Sequence, residues 1–387
     1  MLSADQFEAL KRDKPKLGCC ADRLRLQNGA QTNFPRSREA NMTATDSGSK
    51  YFTTRDFRLQ SGAVLPEATI AYWTLGTLSP ERDNVVLITH GFTSGPQMIS
   101  PGGVTGEGAW SQLVGPGKPV DTNRYFAICP NMLGSSYGST NAASIDPATG
   151  KPYGPRFPDI TVSDIVTTQR LLLNDFGVDK FVAVVGPSYG GYQAFQWAVD
   201  YPTAMRGIAP VVTAPSVSRE RSETRAANFR ATLSQNPNWN GGDYYSTGGV
   251  LDTMIGIRVA TLKLYGIEAR LRQSMSDPAE IEATIRKEAT QWARGFDANS
   301  LIILANALRG FDVTPRFSEI KAEVLFVLSR TDQLFPPDIA PGVMKGLKDA
   351  AVDADYFLLD SEFGHSASGL DAHKWAPRLR QFMESLG

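Results

Sequence analysis

Short runs that are apolar at almost every position limit the fold of this chain more than any other feature. Val85 to His90, Tyr125 to Cys129, Phe181 to Gly186 and Gly207 to Val212 are too short for helices. "AEVLFVLS" from Ala322 and "DYFLLD" ending at Asp360 repeat the pattern late in the sequence. Apolar residues at consecutive positions put oily side chains on both faces of a strand, so both faces need cover. The segments Ile160 to Phe176 and Tyr192 to Tyr201 have helical length and mixed faces, and "GLDAHKWAPRLRQFMESLG" reads as a final helix. Strand and helix alternate, which predicts an α/β architecture: a mostly parallel central sheet, joined by right-handed crossovers and flanked by helices. Ahead of it, "YFTTRDFRL" and "ATIAYWTLG", linked by "QSGAVLPE", have the β-branched and aromatic content of a hairpin.

Two stretches break this rhythm. From Thr213 to Asn299 the helical patches "RSETRAANFRATL", "DTMIGIRVATLKLYG" and "PAEIEATIRKEATQWARGF" follow one another without a buried strand. They read as a helical lid inserted after a sheet strand, at the edge where pockets are roofed. The start of the chain includes "NGAQTNFPRSREANMTATDSGSK", too polar to build a core. The resulting division is an extended lead over 1–50, a first part of the core over 51–212, the lid over 213–299 and a second part of the core over 300–387.

Charge and cysteine usage narrow the partners. Lys and Arg number 39 against 40 Asp and Glu, with no basic block to recruit nucleic acid or an anionic membrane surface. Cys19, Cys20 and Cys129 form no metal-binding spacing with His90, His365 or His373, so neither a metal nor a resident cofactor is expected. No run of about 18–20 apolar residues is present. The expectation is a soluble, cytoplasmic protein acting on a small molecule.

The stretch "FVAVVGPSYGGYQAF" from Phe181 to Phe195 carries the chemistry. A buried strand runs into Gly186-Pro187-Ser188-Tyr189-Gly190, and a helix follows, the context in which a serine is raised on a sharp turn as a nucleophile. The Tyr189 amide then faces the carbonyl under attack. A hydroxyl needs a base. His365, in the glycine-flanked loop "DSEFGHSASG" after a late strand, is placed to reach Ser188, whereas His373 lies in the final helix and His90 ends a strand as a structural residue. Asp332 in "EVLFVLSRTDQLFPP", just past another strand, is placed to orient that imidazole; Asp360 and Glu362 are the runners-up. The loop "HGFTSG" supplies a second oxyanion donor in the backbone amide of Phe92.

Several longer segments add a resemblance. "LVGPGKPVDTNRYFAICPNMLGSSYGSTNAASIDPATGKPYGPRFPDITVSDIV", "NPNWNGGDYY", "RGFDANS" and "DQLFPP" occur in the order of similar motifs in the homoserine O-acetyltransferase family of α/β hydrolases, from about Tyr51 to the end. The resemblance implies an α/β-hydrolase fold, a lid that contributes to a homodimer, and acetyl transfer from acetyl-CoA through the serine to a hydroxyl acceptor. It places a carboxylate-binding arginine at Arg230 and a lid tyrosine at Tyr265, and puts Ser366 where the family usually has an aspartate facing the substrate ammonium. The elbow "GPSYGG" and the loop "HGFTSG" also depart from the family's usual forms. These departures favour a serine carboxylesterase acting on short-chain esters, with Arg230, Tyr265 and Ser366 in the substrate pocket. The alternative is an acetyltransferase that takes acetyl-CoA as co-substrate.

Overall fold

The structure is a computed structural model that describes residues 48–101 and 110–387. Almost all of the expected lead over 1–50 lies outside the described residues. Eight strands form one sheet: β1 (Lys50–Arg58), β2 (Val64–Leu75), β3 (Val85–Ile88), β4 (Phe126–Pro130), β5 (Phe181–Pro187), β6 (Met205–Val211), β7 (Glu323–Ser329) and β8 (Ala354–Leu359). Their spatial order is β1-β2-β4-β3-β5-β6-β7-β8. The first two strands form the expected antiparallel hairpin, with Lys50 opposite Tyr72 and Arg58 opposite Val64. β2 also runs antiparallel to β4. From β4 to β8 every neighbouring pair is parallel.

The dense apolar runs are strands because each face has its own cover. In β7, Val324, Phe326 and Leu328 belong to one core, and Leu325 and Val327 to the other. The first core receives helices α1 (Val162–Asp175) and α2 (Tyr189–Asp200), through Ile165, Leu172, Phe195 and Trp197. Within the expected lid lie α3 (Arg219–Ser234), α4 (Leu251–Leu264) and α5 (Pro278–Ala293); α6 (Ala298–Asn306) begins at its end, and α7 (Ala340–Asp349) follows β7. The second core is closed by the final helix, α8 (Ala372–Ser385), through Trp375, Leu379 and Phe382. Among the described residues no helix is long and apolar enough to cross a membrane.

The nucleophile turn differs from the sequence expectation in one respect: α2 begins at Tyr189, not at Tyr192. Gly190 and Gly191 are therefore helical, and packing requires them. A Cβ on Gly190 would stand 2.0 Å from the Thr89 carbonyl oxygen, and one on Gly191 would stand 2.3 Å from the Thr213 side chain, just after β6. Gly186, at the end of β5, is held as tightly, 2.1 Å from Thr89 Oγ1. Strand β3, the end of β5 and the first turn of α2 thus meet almost backbone to backbone. Gly190→Ala forces backbone apart at this junction and is expected to cost about 3 kcal/mol of stability, read as a lowered denaturation midpoint.

Candidate active site

Ser188 stands between β5 and α2 with φ 55° and ψ −117°. A residue with a side chain rarely adopts such a conformation, at a cost of about 1–3 kcal/mol, unless its surroundings impose it. Here its amide donates to the Val211 carbonyl of β6 at 2.8 Å, and Thr89 Oγ1 donates to the Gly190 carbonyl at 2.8 Å. The hydroxyl is thereby raised above the carboxyl edge of the sheet. Two loops at that edge bring the other groups. His365, after β8, stands 2.8 Å from Ser188 Oγ through Nε2 and 2.8 Å from Asp332 Oδ2 through Nδ1, with Asp332 placed after β7. All three side chains are buried.

The hydrogen bonds determine the proton positions. Asp332 accepts the Nδ1 proton, which leaves Nε2 as an acceptor for the serine hydroxyl. The other Asp332 oxygen accepts from the amides of Leu334 and Phe335 at 2.8 and 3.3 Å. Burial raises the Asp332 carboxyl, but the charge and hydrogen bond of His365, with the two amides, outweigh it and hold the pKa below the ordinary carboxylate value. Asp360 and Glu362, the other acids near the histidine, pair instead with Arg330 at the surface. His90 is buried with Nδ1 2.9 Å from the Gly91 carbonyl, and its Nε2 accepts from the Met132 amide at 3.3 Å, so it braces the loop. His373 is exposed.

Ser188 opens into a cavity of about 370 Å³ whose walls include Phe92, Tyr189, Tyr192, Arg225, Phe229, Tyr265 and Phe335. Burial pushes the Tyr192 phenol up to about 12, with Arg225 and Arg221 opposing, so it stays neutral at ordinary pH. Phe92 is stacked between Tyr189 and Phe229, with ring centroids 5.9 and 6.1 Å away. Tyr265 lies against the His365 ring at 4.8 Å. The arrangement has what acyl transfer needs: a hydroxyl, a base held in one tautomer, an anion to stabilise the imidazolium, and a mostly apolar cavity beside them. Among the described residues no three His, Cys, Asp or Glu side chains gather as a metal site.

Comparison with known proteins is consistent with this geometry. Residues 84–371 match the family model described as the alpha/beta hydrolase fold. A homoserine O-acetyltransferase of Rhodospirillum rubrum is 33% identical over 351 residues, covering 84% of this chain and 90% of that one. One of Haemophilus influenzae is 35% identical, covering 85% and 96%. The chain belongs to the homoserine O-acetyltransferase family of α/β hydrolases. Among solved structures, homoserine O-acetyltransferase from Bacillus anthracis superposes with a TM-score of 0.77 at 27% identity, covering 87% of this chain and 97% of that one. Esterase E22 superposes at 0.78 with 25% identity, covering 87% and 99%.

The family motifs fall into two groups in space. "NPNWNGGDYY" and "RGFDANS" meet each other: Tyr244 donates to Asp297 at 2.5 Å, and Asn299 donates to the Gly242 carbonyl and to the Tyr245 hydroxyl at 2.9 and 3.0 Å. They anchor the lid and do not line the cavity. "DQLFPP" supplies Asp332, Leu334 and Phe335 to the site itself.

Two pocket assignments carried by the family resemblance need correction. Arg230 is exposed on α3 and does not line the cavity; the lid arginine that does is Arg225, half-buried, with its guanidinium carbon 5.8 Å from the Phe92 ring centroid. The two residues are five apart, which turns them about 140° from each other around a helix. Ser366 is buried but faces the lid, its amide and hydroxyl donating to the Tyr265 carbonyl at 3.3 and 3.1 Å. Arg225 was visible in the sequence only as one of several arginines in a helix polar on all sides.

Asp332→Asn is expected to lower turnover about 10³–10⁴-fold by spoiling the histidine tautomer. Because the folded-state pKa of Asp332 is depressed, its ionisation stabilises the fold above the ordinary carboxylate pKa of about 3.9, and that contribution is lost as pH falls through the folded value. The stability gap between the natural protein and Asp332→Asn should therefore narrow from pH 5 to pH 2 in denaturation curves.

Proposed function

We propose that the protein is a serine-dependent O-acyltransferase that moves an acetyl-type group from acetyl-CoA to the hydroxyl of a small, carboxylate-bearing acceptor. The observation that carries this reading is the closed chain Asp332–His365–Ser188, ending in a cavity beside an arginine that pairs with no carboxylate among the described residues. Ser188 Oγ attacks the thioester carbonyl as His365 Nε2 takes its proton, and the oxygen of the tetrahedral intermediate is held by the amides of Phe92 and Tyr189. The C–S bond then breaks, His365 returns the proton to the departing thiolate, and an acetyl-serine ester remains. An acceptor hydroxyl repeats the sequence in reverse: it loses its proton to His365, its oxygen bonds the acyl carbon, and Ser188 Oγ leaves with that proton.

The choice of acceptor rests on charge. Arg225 has no salt-bridge partner among the described residues and lies in the cavity wall, where a carboxylate would find a charge-assisted partner. None of the lining residues is acidic, so an ammonium group gains no counter-ion there. A hydroxy acid fits this wall better than an amino acid does. The same lack of an acid, with Ser366 turned toward the lid, favours a second reading in which water is the acceptor and the protein is a short-chain carboxylesterase. Names of relatives sharing 33–35% of residues over most of their length support transfer over hydrolysis.

Thiol release from acetyl-CoA, measured with L-homoserine, 4-hydroxybutyrate, butanol or no acceptor, separates the readings. Transfer predicts acceptor-dependent release, greatest with 4-hydroxybutyrate; fast hydrolysis of p-nitrophenyl acetate with no acceptor-dependent thiol release would leave only the esterase. Ser188→Ala should lower either activity by about 10⁴-fold or more. Arg225→Gln should raise KM for 4-hydroxybutyrate about 10–100-fold, the worth of a charge-assisted hydrogen bond, and leave butanol unaffected.

A further inference from the structure

The loop after β3 carries Phe92 and Thr93, and each long helix of the lid up to α5 holds one of them. Phe229 of α3 stacks on the Phe92 ring, 6.1 Å between centroids and 12° between planes. Arg258 of α4 donates from Nη1 to Thr93 Oγ1 at 2.7 Å. Trp292 of α5 donates from Nε1 to the Thr93 carbonyl at 2.9 Å. Within the loop the Ser94 amide donates to the Gly91 carbonyl at a long 3.3 Å.

Arg258 is a costly way to fill this position. It is 4% exposed, has no carboxylate partner among the described residues, and its Nε meets no hydrogen-bond acceptor there. Its guanidinium carbon lies 4.9 Å from the Trp292 ring centroid, a contact that offsets part of the desolvation. An apolar side chain would pack the same space without burying a charge. What an apolar side chain would not supply is the hydrogen bond to Thr93.

The two proposed oxyanion donors thus differ in how they are held. The Tyr189 amide belongs to the first turn of α2, fixed by the crowded junction with β3. Phe92 belongs to a loop braced from below by His90 and by the Tyr189 ring, while both polar groups of the next residue, the Thr93 hydroxyl and carbonyl, are held by the lid. We infer that Arg258 and Trp292 are positioning residues that act through Thr93, so that the lid helices set the Phe92 amide where the oxyanion forms. This inference rests on the acyl-serine reading given above.

A double-mutant cycle on acylation by p-nitrophenyl acetate tests it, with Thr93→Val, Arg258→Met, the pair, and Arg258→Lys. Displacing one oxyanion donor costs up to about 10²–10³-fold in rate. Each single variant is therefore expected to lower kcat about 10–100-fold with KM within about twofold of the natural protein, the pair to be no slower than the worse single variant, and Arg258→Lys to recover part of the loss. Rates of inactivation by an acetyl-type phosphonate, which mimics the tetrahedral oxyanion, should fall in parallel. Unchanged kcat, multiplied losses in the pair, or kcat and KM that simply track a lowered melting temperature would overturn the inference. If Arg258→Met does not fold, Thr93→Val decides alone: it changes one hydroxyl to a methyl, and kcat must fall while KM holds. Undiminished turnover by Ser188→Ala would instead remove the acyl-serine reading itself.

Discussion

The near-contact of three backbones at Thr89 governs the rest of the site. Gly186 and Gly190 let β3, β5 and α2 approach until no Cβ fits between them, and Ser188 is left with a backbone conformation it would not choose. The strain has a chemical use. A serine on a relaxed strand or within a helix would lie in the plane of its neighbours, whereas here its hydroxyl stands clear of the sheet edge and within reach of a histidine that comes from 177 residues away. The parallel sheet makes the meeting possible, because β3, β5, β7 and β8 all deliver their following loops to one edge.

Much of this was legible in the chain. Runs such as "AEVLFVLS" could only be strands covered on both sides, and their order placed Ser188, Asp332 and His365 at strand ends. Each of these signals is local. The choice of Asp332 over Asp360 and Glu362 was also local in origin: the latter pair lies with Arg330 on the exposed side of the loop, where sequence proximity to His365 counts for nothing.

The lid was legible as helices but not as a surface with an inside. Helix α3 is polar around its circumference, so no apolar stripe says which arginine turns inward; Arg230 faces out and Arg225 faces in. Contacts that span the molecule were equally hidden. Nothing near Arg258 in the sequence points to Thr93, 165 residues earlier, or links Trp292 to the same residue across 199. The position of Ser366 beside the histidine suggested a pocket residue, yet a step of one residue along a tight turn changes the direction of the side chain, and it meets the Tyr265 carbonyl instead.

The contact between Tyr265, Ser366 and His365 joins the roof of the site to its base. One lid residue both covers the imidazole and is tied by its carbonyl to the next residue of the histidine loop. The lid and the loop that carries the base are therefore one mechanical unit, and a substitution that shifts the end of α4 is felt at His365 as well as at the cavity wall.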